Sequence, residues 1–315
     1  MTIYIAQGHE KSIGLEILLK SLSCLSPEEI KKFCLITFHS SLADVFATIK
    51  LGEKNKKHIP AKFIKENDSL LPQTTQSLLE CLRLIKASKS KKKSILLTLP
   101  TSKDQLILNG KLLKGYTEFF RTYYHNPNLP MVFKGPYTNV LLITDHIPLV
   151  EVVKLSEELI FEKIKITLEN FPQYFSPIEE VVLSGINPHA GENGLLGNNE
   201  EKNIINAISK LKKLFPKVSF IGPVSGDTLF FHKKSNNKQL FVYMYHDQAL
   251  SIFKSLYGII GLNITLGLPF LRLSVDHGTA FELYGKNQAN YLSALYMLKT
   301  ALEIKNESYE SKKYP

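Results

Sequence analysis

The sequence of 315 residues has no tryptophan, only three cysteines, and no apolar run that approaches the roughly 20 residues a membrane span needs. The cysteines, Cys24, Cys34 and Cys81, are odd in number and form no Cys-x-x-Cys pair, so we predict reduced thiols with a structural role. Residues 1–6 have the pattern of a first strand and lack the basic and long apolar segments of a signal peptide. These absences favour a globular protein of the cytoplasm.

Both common glycine-rich nucleotide-binding motifs are also absent. The segment Gly222-Pro-Val-Ser-Gly-Asp227 resembles neither the Gly-x-Gly-x-x-Gly fingerprint of dinucleotide-binding folds nor a Walker loop. A nucleotide site, if present, must therefore be built in another way.

Negative charge is in deficit, with 39 Lys and Arg against 29 Asp and Glu and a formal net charge of +10. The excess is concentrated in residues 54–57 and 86–93, where no aromatic side chains interleave with the lysines. This pattern is typical of solvated helix ends rather than of a nucleic-acid surface. A basic protein is equally suited to binding a small anionic substrate.

Short apolar runs alternate with helix-length segments, which predicts an α/β fold with a parallel sheet. No composition shift marks a domain boundary, although the length allows two domains. The polar tail, residues 305–315, is predicted to fray. We predict strands at 3–6, 33–37, 95–98, 140–144, 181–184, 218–221 and 241–245, and helices at 13–23, 41–50, 74–86, 149–170, 198–215 and 289–304.

Three histidines follow apolar runs that have the pattern of buried strands. They are His146 after Asn139-Val-Leu-Leu-Ile-Thr144, His189 after Val181-Val-Leu-Ser184, and His246 after Leu240-Phe-Val-Tyr-Met-Tyr245. Because residues beyond the carboxyl ends of parallel strands collect along one edge, these imidazoles could meet there. Three of them could hold a divalent metal and leave open positions for a substrate. The alternative is that each is an ordinary surface histidine on a loop.

Polar groups surround two of these histidines. The segment Ser184-Gly-Ile-Asn-Pro-His-Ala-Gly-Glu-Asn-Gly194 is either a ligand-binding loop or a turn-rich connection. In Tyr245-His-Asp-Gln-Ala249 consecutive side chains cannot all enter one pocket, so His246 could ligate while Asp247 orients it.

Further cations follow at positions that have the pattern of loops. They are Lys254 and Arg272, and Asn263 lies between them at a similar position. A lysine and an arginine that converge on one point would suit a phosphate or carboxylate, whereas each alone is more often a surface charge. A sharp polar turn, Asp276-His-Gly-Thr279, ends the hydrophobic run that follows.

Taken in order, motifs over nearly the whole chain resemble those of the 4-hydroxythreonine-4-phosphate dehydrogenase family of vitamin B6 biosynthesis. They are Ser12-Ile-Gly-Leu-Glu16, Thr98-Leu-Pro-Thr-Ser-Lys103, Gly115-Tyr-Thr-Glu-Phe119, His146-Ile-Pro-Leu149, Gly185-Ile-Asn-Pro-His-Ala-Gly-Glu192, Gly222-Pro through Asp227-Thr-Leu229, Tyr245-His-Asp-Gln248, and Asn263-Ile-Thr-Leu-Gly-Leu-Pro-Phe270 through Asp276-His-Gly-Thr-Ala280.

The resemblance implies a two-lobed isocitrate/isopropylmalate-dehydrogenase-like α/β/α fold with the active site in the cleft between the lobes. The cofactor lobe would span 1–135 plus 265–315, and the lobe that carries the metal and the dimer contacts would span 136–264. A homodimer partner would complete the site.

The resemblance also assigns residues to roles. The metal ligands, for zinc, magnesium or cobalt, would be His146, His189 and His246, the three that the strand argument selects. Phosphorylated substrate would contact Tyr116, Thr117, Lys254, Asn263 and Arg272, and the adenosine of NAD or NADP would lie against His277, Gly278, Thr279 and Ala280. Asp227 or Asp247 is our candidate for the proton carrier.

The implied reaction is metal-assisted oxidation of 4-phosphohydroxy-L-threonine to 2-amino-3-oxo-4-phosphooxybutanoate, which decarboxylates to 3-amino-2-oxopropyl phosphate. The chain departs from the family at Gly8-His-Glu10 for Gly-Asp-Pro, at Tyr116 for a substrate-binding histidine, and at Ala249 for a glycine. Two alternatives therefore stay open. One is a dehydrogenase of the same family for another anionic hydroxy substrate, and the other is a catalytically weakened, non-enzymatic relic.

Overall fold

The computed structural model describes residues 2–49, 59–66, 69–88 and 94–310, with side chains as far as residue 306. The lysine stretch 54–57 and residues 89–93 of the second lysine run lie outside the described residues. The chain divides into two compact units, Met1–Pro127 with Leu268–Pro315, and Asn128–Gly267. The assignment of a cofactor lobe and a metal lobe to particular residues stays a prediction.

Strands and helices alternate along the chain, and every predicted strand is present. The strands are β1 (Ile3–Ala6), β2 (Phe33–Thr37), β3 (Ala61–Phe63), β4 (Ile95–Thr98), β5 (Ile107–Leu108), β6 (Lys111–Leu112), β7 (Met131–Lys134), β8 (Asn139–Leu142), β9 (Glu180–Ser184), β10 (Ser219–Val224), β11 (Gln239–Tyr243), β12 (Leu262–Thr265) and β13 (Leu271–Val275). The α-helices are α1 (Gly14–Leu22), α2 (Pro27–Ile30), α3 (His39–Thr48), α4 (Gln73–Ala87), α5 (Tyr116–Tyr123), α6 (Leu149–Val152), α7 (Glu157–Asn170), α8 (Glu201–Leu214), α9 (His246–Tyr257) and α10 (Leu292–Glu310).

The first unit, which holds both termini, contains a parallel sheet in the order β13-β4-β1-β2-β3. Its inner strands are almost continuously apolar, as expected where helices cover both faces of a parallel sheet. Ile5 on β1 and Leu97 on β4 are fully buried. The short strands β5 and β6 form a separate antiparallel pair.

The second unit contains a mixed sheet in the order β10-β9-β11-β8-β7-β12. The strands β10, β9, β11 and β8 pair in parallel, whereas β7 is antiparallel to both β8 and β12. The prediction of a purely parallel sheet was therefore wrong at β7. The cause is the connection between β7 and β8, a tight turn in which the amide of Gly135 donates to the carbonyl of Thr138 at 2.9 Å. A parallel pair would need a crossover of about a dozen residues.

The predicted helix at 149–170 is divided into α6 and α7. Ser156 begins α7 as its N-cap, since its hydroxyl accepts a hydrogen bond from the amide of Leu159 at 3.2 Å. A capped start of this kind ends the helical run before it. Within the described part of the chain, none of the helices combines the length and apolar character that a bilayer span requires.

Candidate active site

The strands that precede the three histidines are neighbours in the second unit. The strand β11 pairs in parallel with β8 on one side and with β9 on the other. Their carboxyl ends therefore lie along one edge of the sheet, and His146, His246 and His189 follow those ends. The three strand ends that precede the histidines therefore share one sheet edge, as the sequence predicts, while metal ligation itself stays a prediction.

Two of the histidines are in contact. The ring centroids of His146 and His246 are 5.5 Å apart. His246 is the first residue of α9, and its Nδ1 lies 2.6 Å from Oδ1 of Asp247. A carboxylate on one ring nitrogen fixes the tautomer and leaves Nε2 as the nitrogen that could ligate, as in many metal-binding histidines.

The third histidine lies on an unusual backbone segment. From His189 to Asn193, every residue has φ between 45° and 75°, in the left-handed region. His189 lines a cavity of about 370 Å³ together with Asp227 and Gln248. The hydroxyl of Ser225 donates to Asp227 and holds the pKa of that carboxyl below its usual range, with a smaller contribution from His189.

In the part of the chain that the structure describes, no three His, Cys, Asp or Glu side chains are gathered into a complete metal-binding group. What the structure brings together is the pair His146 and His246, and the cavity shared by His189 and Asp227, all at one sheet edge. Imidazoles, one of them backed by a carboxylate, are donors of the type that zinc and cobalt prefer. In their chemistry, though not yet as a gathered three-ligand group among the described residues, these side chains fit a divalent ion.

Two polar side chains that we did not select from the sequence connect these strand ends. Oε1 of Gln248 accepts from the hydroxyl of Ser184 at 3.0 Å and from the amide of Met244 at 2.9 Å, so it joins the ends of β9 and β11. Lys163 on α7 is buried and donates to the carbonyl of Ile143, beyond β8, at 2.6 Å. A lysine on the apolar face of a helix was the signal that could have identified it.

Arg272, which the resemblance assigns to the substrate, lies in the first unit on β13 and is only 3% exposed. Its Nε and Nη2 donate to the hydroxyl of Thr98 at 3.0 and 2.8 Å. The guanidinium carbon lies 5.1 Å from the ring centroid of Tyr116, within the range of a cation–π contact. Burial lowers the pKa of Arg272 to about 10, so the group is a cation at neutral pH.

Tyr116, which stands in place of the family's histidine, is the first residue of α5 and is buried. Its hydroxyl donates to the carbonyl of Leu99 at 3.0 Å, and burial raises the pKa of the phenol. Thr117 follows it on the same helix and is also buried. The single proton of the phenol is thus used inside the protein, and the ring lies against Arg272.

Three predicted loop positions prove to be in regular structure. Lys254 lies in α9, Asn263 in β12 and Arg272 in β13, and the reading of Arg272 as a surface charge was wrong. The arginine interrupts the apolar pattern within the strand, and its guanidinium donates to the hydroxyl of Thr98. Tyr116, Thr117 and Arg272 belong to the first unit, and Lys254 and Asn263 belong to the second.

The predicted adenosine-binding loop, His277 to Ala280, is in the first unit and is accessible. Nε2 of His277 lies 2.8 Å from the hydroxyl of Ser293 on α10, and the carbonyl of Thr279 accepts from the amide of Ile13 at 3.1 Å. Ala280 has φ of 44°. The loop is thus held at both ends while its glycine, Gly278, is exposed, which fits the approach of a nucleotide.

A family model described as pyridoxal phosphate biosynthetic protein PdxA matches residues 54–301. This chain belongs to the PdxA family. The resemblance inferred from the motifs is therefore confirmed. As a PdxA protein the chain is an oxidoreductase of the dehydrogenase type, in a family described by its role in pyridoxal phosphate biosynthesis.

Two curated relatives place the chain within the PdxA family. A 4-hydroxythreonine-4-phosphate dehydrogenase of Desulforapulum autotrophicum is 37% identical over 206 residues, which span 65% of this chain and 60% of that protein. A putative D-threonate 4-phosphate dehydrogenase of Oceanobacillus iheyensis is 30% identical over 324 aligned positions, covering 96% of this chain and 97% of that protein.

Solved structures confirm the fold class. The 4-hydroxythreonine-4-phosphate dehydrogenase of Klebsiella pneumoniae superposes with a TM-score of 0.78 at 26% identity, over 96% of this chain and 99% of that one. A beta-decarboxylating dehydrogenase of Thermococcus kodakarensis gives a TM-score of 0.50 at 10% identity, over 97% of this chain and 84% of that one, a likeness of fold alone. The predicted isocitrate/isopropylmalate-dehydrogenase-like α/β fold is thus confirmed.

Proposed function

We propose that this PdxA-family chain is an NAD(P)-dependent, divalent-metal-assisted dehydrogenase. Its substrate is 4-phosphohydroxy-L-threonine, and its product, 2-amino-3-oxo-4-phosphooxybutanoate, decarboxylates to 3-amino-2-oxopropyl phosphate. The proposal rests on one observation: the strands β8, β9 and β11 end at one edge of the sheet, and each is followed by a histidine. At that edge His146 and His246 are in contact, and the carboxylate of Asp247 lies against Nδ1 of His246.

The metal would be held by His146, His189 and His246, with zinc, magnesium and cobalt as the candidates. When bound, it supplies Lewis-acid polarisation of the substrate hydroxyl, and the nicotinamide accepts a hydride. Asp247 orients His246, so its role is to hold the ligand rather than to move a proton. Asp227, which lines the same cavity as His189, is the better candidate to accept the hydroxyl proton.

The phosphorylated substrate would contact Thr117, Lys254, Asn263 and Arg272, the residues that the resemblance assigns to it. A buried arginine that is held in one orientation presents a planar guanidinium, which suits two-point hydrogen bonding to a phosphate. Tyr116 contributes to phosphate binding indirectly, by supporting Arg272. Its hydroxyl donates to the carbonyl of Leu99, and its ring lies against the guanidinium of Arg272. The adenosine of NAD or NADP would lie against residues 277–280.

We propose that the protein acts as a homodimer in the cytoplasm, with the partner completing the site. The second unit exposes several large apolar side chains, among them Phe231 (85% exposed), Leu195 (81%) and Leu149 (65%). Large apolar side chains that one chain leaves exposed are available to an interface between two copies. Sedimentation at assay concentration tests the dimer directly.

A second candidate is oxidation of another anionic hydroxy substrate by the same machinery. Tyr116 in place of a histidine favours it, as does similarity to a putative D-threonate 4-phosphate dehydrogenase. A non-enzymatic relic is disfavoured, because all three histidines that the resemblance assigns to the metal are present and follow neighbouring strands.

The deciding experiment is a substrate panel with NAD and with NADP. We expect reduced nicotinamide to form from 4-phosphohydroxy-L-threonine with a higher kcat/KM than from D-threonate 4-phosphate or a cis-dihydrodiol carboxylate. A preference for either rival would replace the proposed substrate. The absence of turnover with every member, in protein shown to be folded and loaded with metal, would favour the relic.

A further inference from the structure

The loop that presents His189 has a backbone that its sequence does not favour. Five successive residues, His189 to Asn193, are left-handed, and only Gly191 among them lacks a Cβ. For other L-residues this conformation costs roughly 1–2 kcal/mol each. Such a segment persists only where surrounding contacts determine it.

Directly before this segment, the loop is held by one buried carboxylate, that of Glu201. Glu201 begins α8 and is 7% exposed. Its Oε1 accepts from the amides of Ile186 at 3.2 Å and Asn187 at 2.9 Å. The side-chain amide of Asn187 donates to both carboxylate oxygens at 3.2 Å, and it also donates to Glu200 at 3.0 Å.

The loop is also closely fitted around this carboxylate. A Cβ added to Gly191 would lie 2.7 Å from Oε2 of Glu201, and a Cβ added to Gly185 would lie 2.8 Å from Cα of Ala190. A side chain at position 191 would therefore displace the Glu201 carboxylate, and one at position 185 would displace the backbone at Ala190. The segment from residue 185 to residue 191 therefore packs around the carboxylate of Glu201.

We propose that Glu201 is a positioning residue that fixes the loop bearing His189 in the conformation that binds a divalent ion. The inference rests on the proposed function for the role of His189, and it extends that function to a residue outside the ligand set. A carboxylate suits the position because it can accept from several donors at once and sits at the amino end of a helix. Outer partners of metal-binding histidines typically change metal affinity by about 10- to 100-fold.

The test compares Glu201→Ala with Glu201→Gln, which keeps one acceptor oxygen, and with Glu169→Ala, a change at an exposed glutamate on α7. Hydrogen exchange is followed at the amides of Ile186 and Asn187, with the amides of β9 as an internal measure of folding. Titration of the metal-free protein with Co²⁺ follows binding independently of catalysis.

In Glu201→Ala we expect exchange at both amides to accelerate at least about tenfold and Co²⁺ affinity to fall about 10- to 100-fold. Glu201→Gln should give smaller effects, and Glu169→Ala should give none. Unchanged exchange at Ile186 and Asn187, or unchanged Co²⁺ affinity despite faster exchange, overturns the inference. If the unaltered protein binds no divalent ion, the proposed function is contradicted. The positioning role of Glu201 in metal binding is then contradicted as well, even if hydrogen exchange shows that Glu201 holds the loop.

Discussion

Tyr116→Phe separates two roles for the residue that replaces the family's histidine. The change removes the hydroxyl that donates to Leu99 at 3.0 Å and keeps the ring that lies 5.1 Å from the guanidinium carbon of Arg272. Loss of the hydrogen bond leaves a buried carbonyl without this donor, which costs about 1–3 kcal/mol. The cation–π contact, worth about 1–2 kcal/mol when desolvated, should survive because phenylalanine retains the ring.

We therefore expect Tyr116→Phe to lower the free energy of unfolding by about 1–3 kcal/mol in urea denaturation, with KM for 4-phosphohydroxy-L-threonine within about twofold of the original. If the hydroxyl instead binds substrate directly, KM should rise by roughly 2- to 13-fold. A raised KM with unchanged stability would refute the assignment of Tyr116 to the support of Arg272.

Restoring the family's residue is the complementary change. Tyr116→His supplies a group that could form a charge-assisted hydrogen bond worth about 1.5–3 kcal/mol, so KM for 4-phosphohydroxy-L-threonine should fall by roughly 10- to 100-fold with metal content unchanged. If turnover is abolished instead, Tyr116 is adapted to a different substrate, and the proposal of 4-phosphohydroxy-L-threonine as the substrate is contradicted.

Three further predictions concern the metal, the assembly and stability. His189→Ala should abolish metal-dependent turnover with little change in thermal melting, because the side chain is exposed and contributes little core burial, whereas full occupancy by metal analysis would contradict its role as a ligand. Sedimentation should show a homodimer at assay concentration, and an active monomer would contradict the shared site. Hydrogen bonds, chiefly from Arg83 and then from Lys62, lower the pKa of Glu80 from 4.5 to about 2. The ionised carboxylate therefore stabilises the fold at pH values above its unfolded pKa. This stabilisation is lost as the pH falls towards about 2. Glu80→Gln should therefore cost about 1 kcal/mol near neutral pH and nothing in strong acid, and an equal loss at both would show that the charge is not the cause.

The sequence predicted the histidine-bearing strand ends well because apolar runs bounded by turn residues report buried parallel strands directly. The contributions of Arg272 and Glu201 could not be found in this way. Both are charged residues that lie buried against hydrogen-bond partners elsewhere in the sequence, Thr98 for Arg272 and the amides of residues 186 and 187 for Glu201. The antiparallel β7 was missed for a related reason, since its pairing depends on a turn that periodicity does not encode.

The most direct test of a histidine-bound metal at the strand ends is titration of metal-stripped enzyme with a divalent ion while reduced nicotinamide formation from 4-phosphohydroxy-L-threonine is followed. We expect no turnover without metal, a rise that reaches its plateau at one equivalent per chain, and no response in His246→Ala. Full turnover in the stripped enzyme, or an unchanged response in His246→Ala, would contradict it.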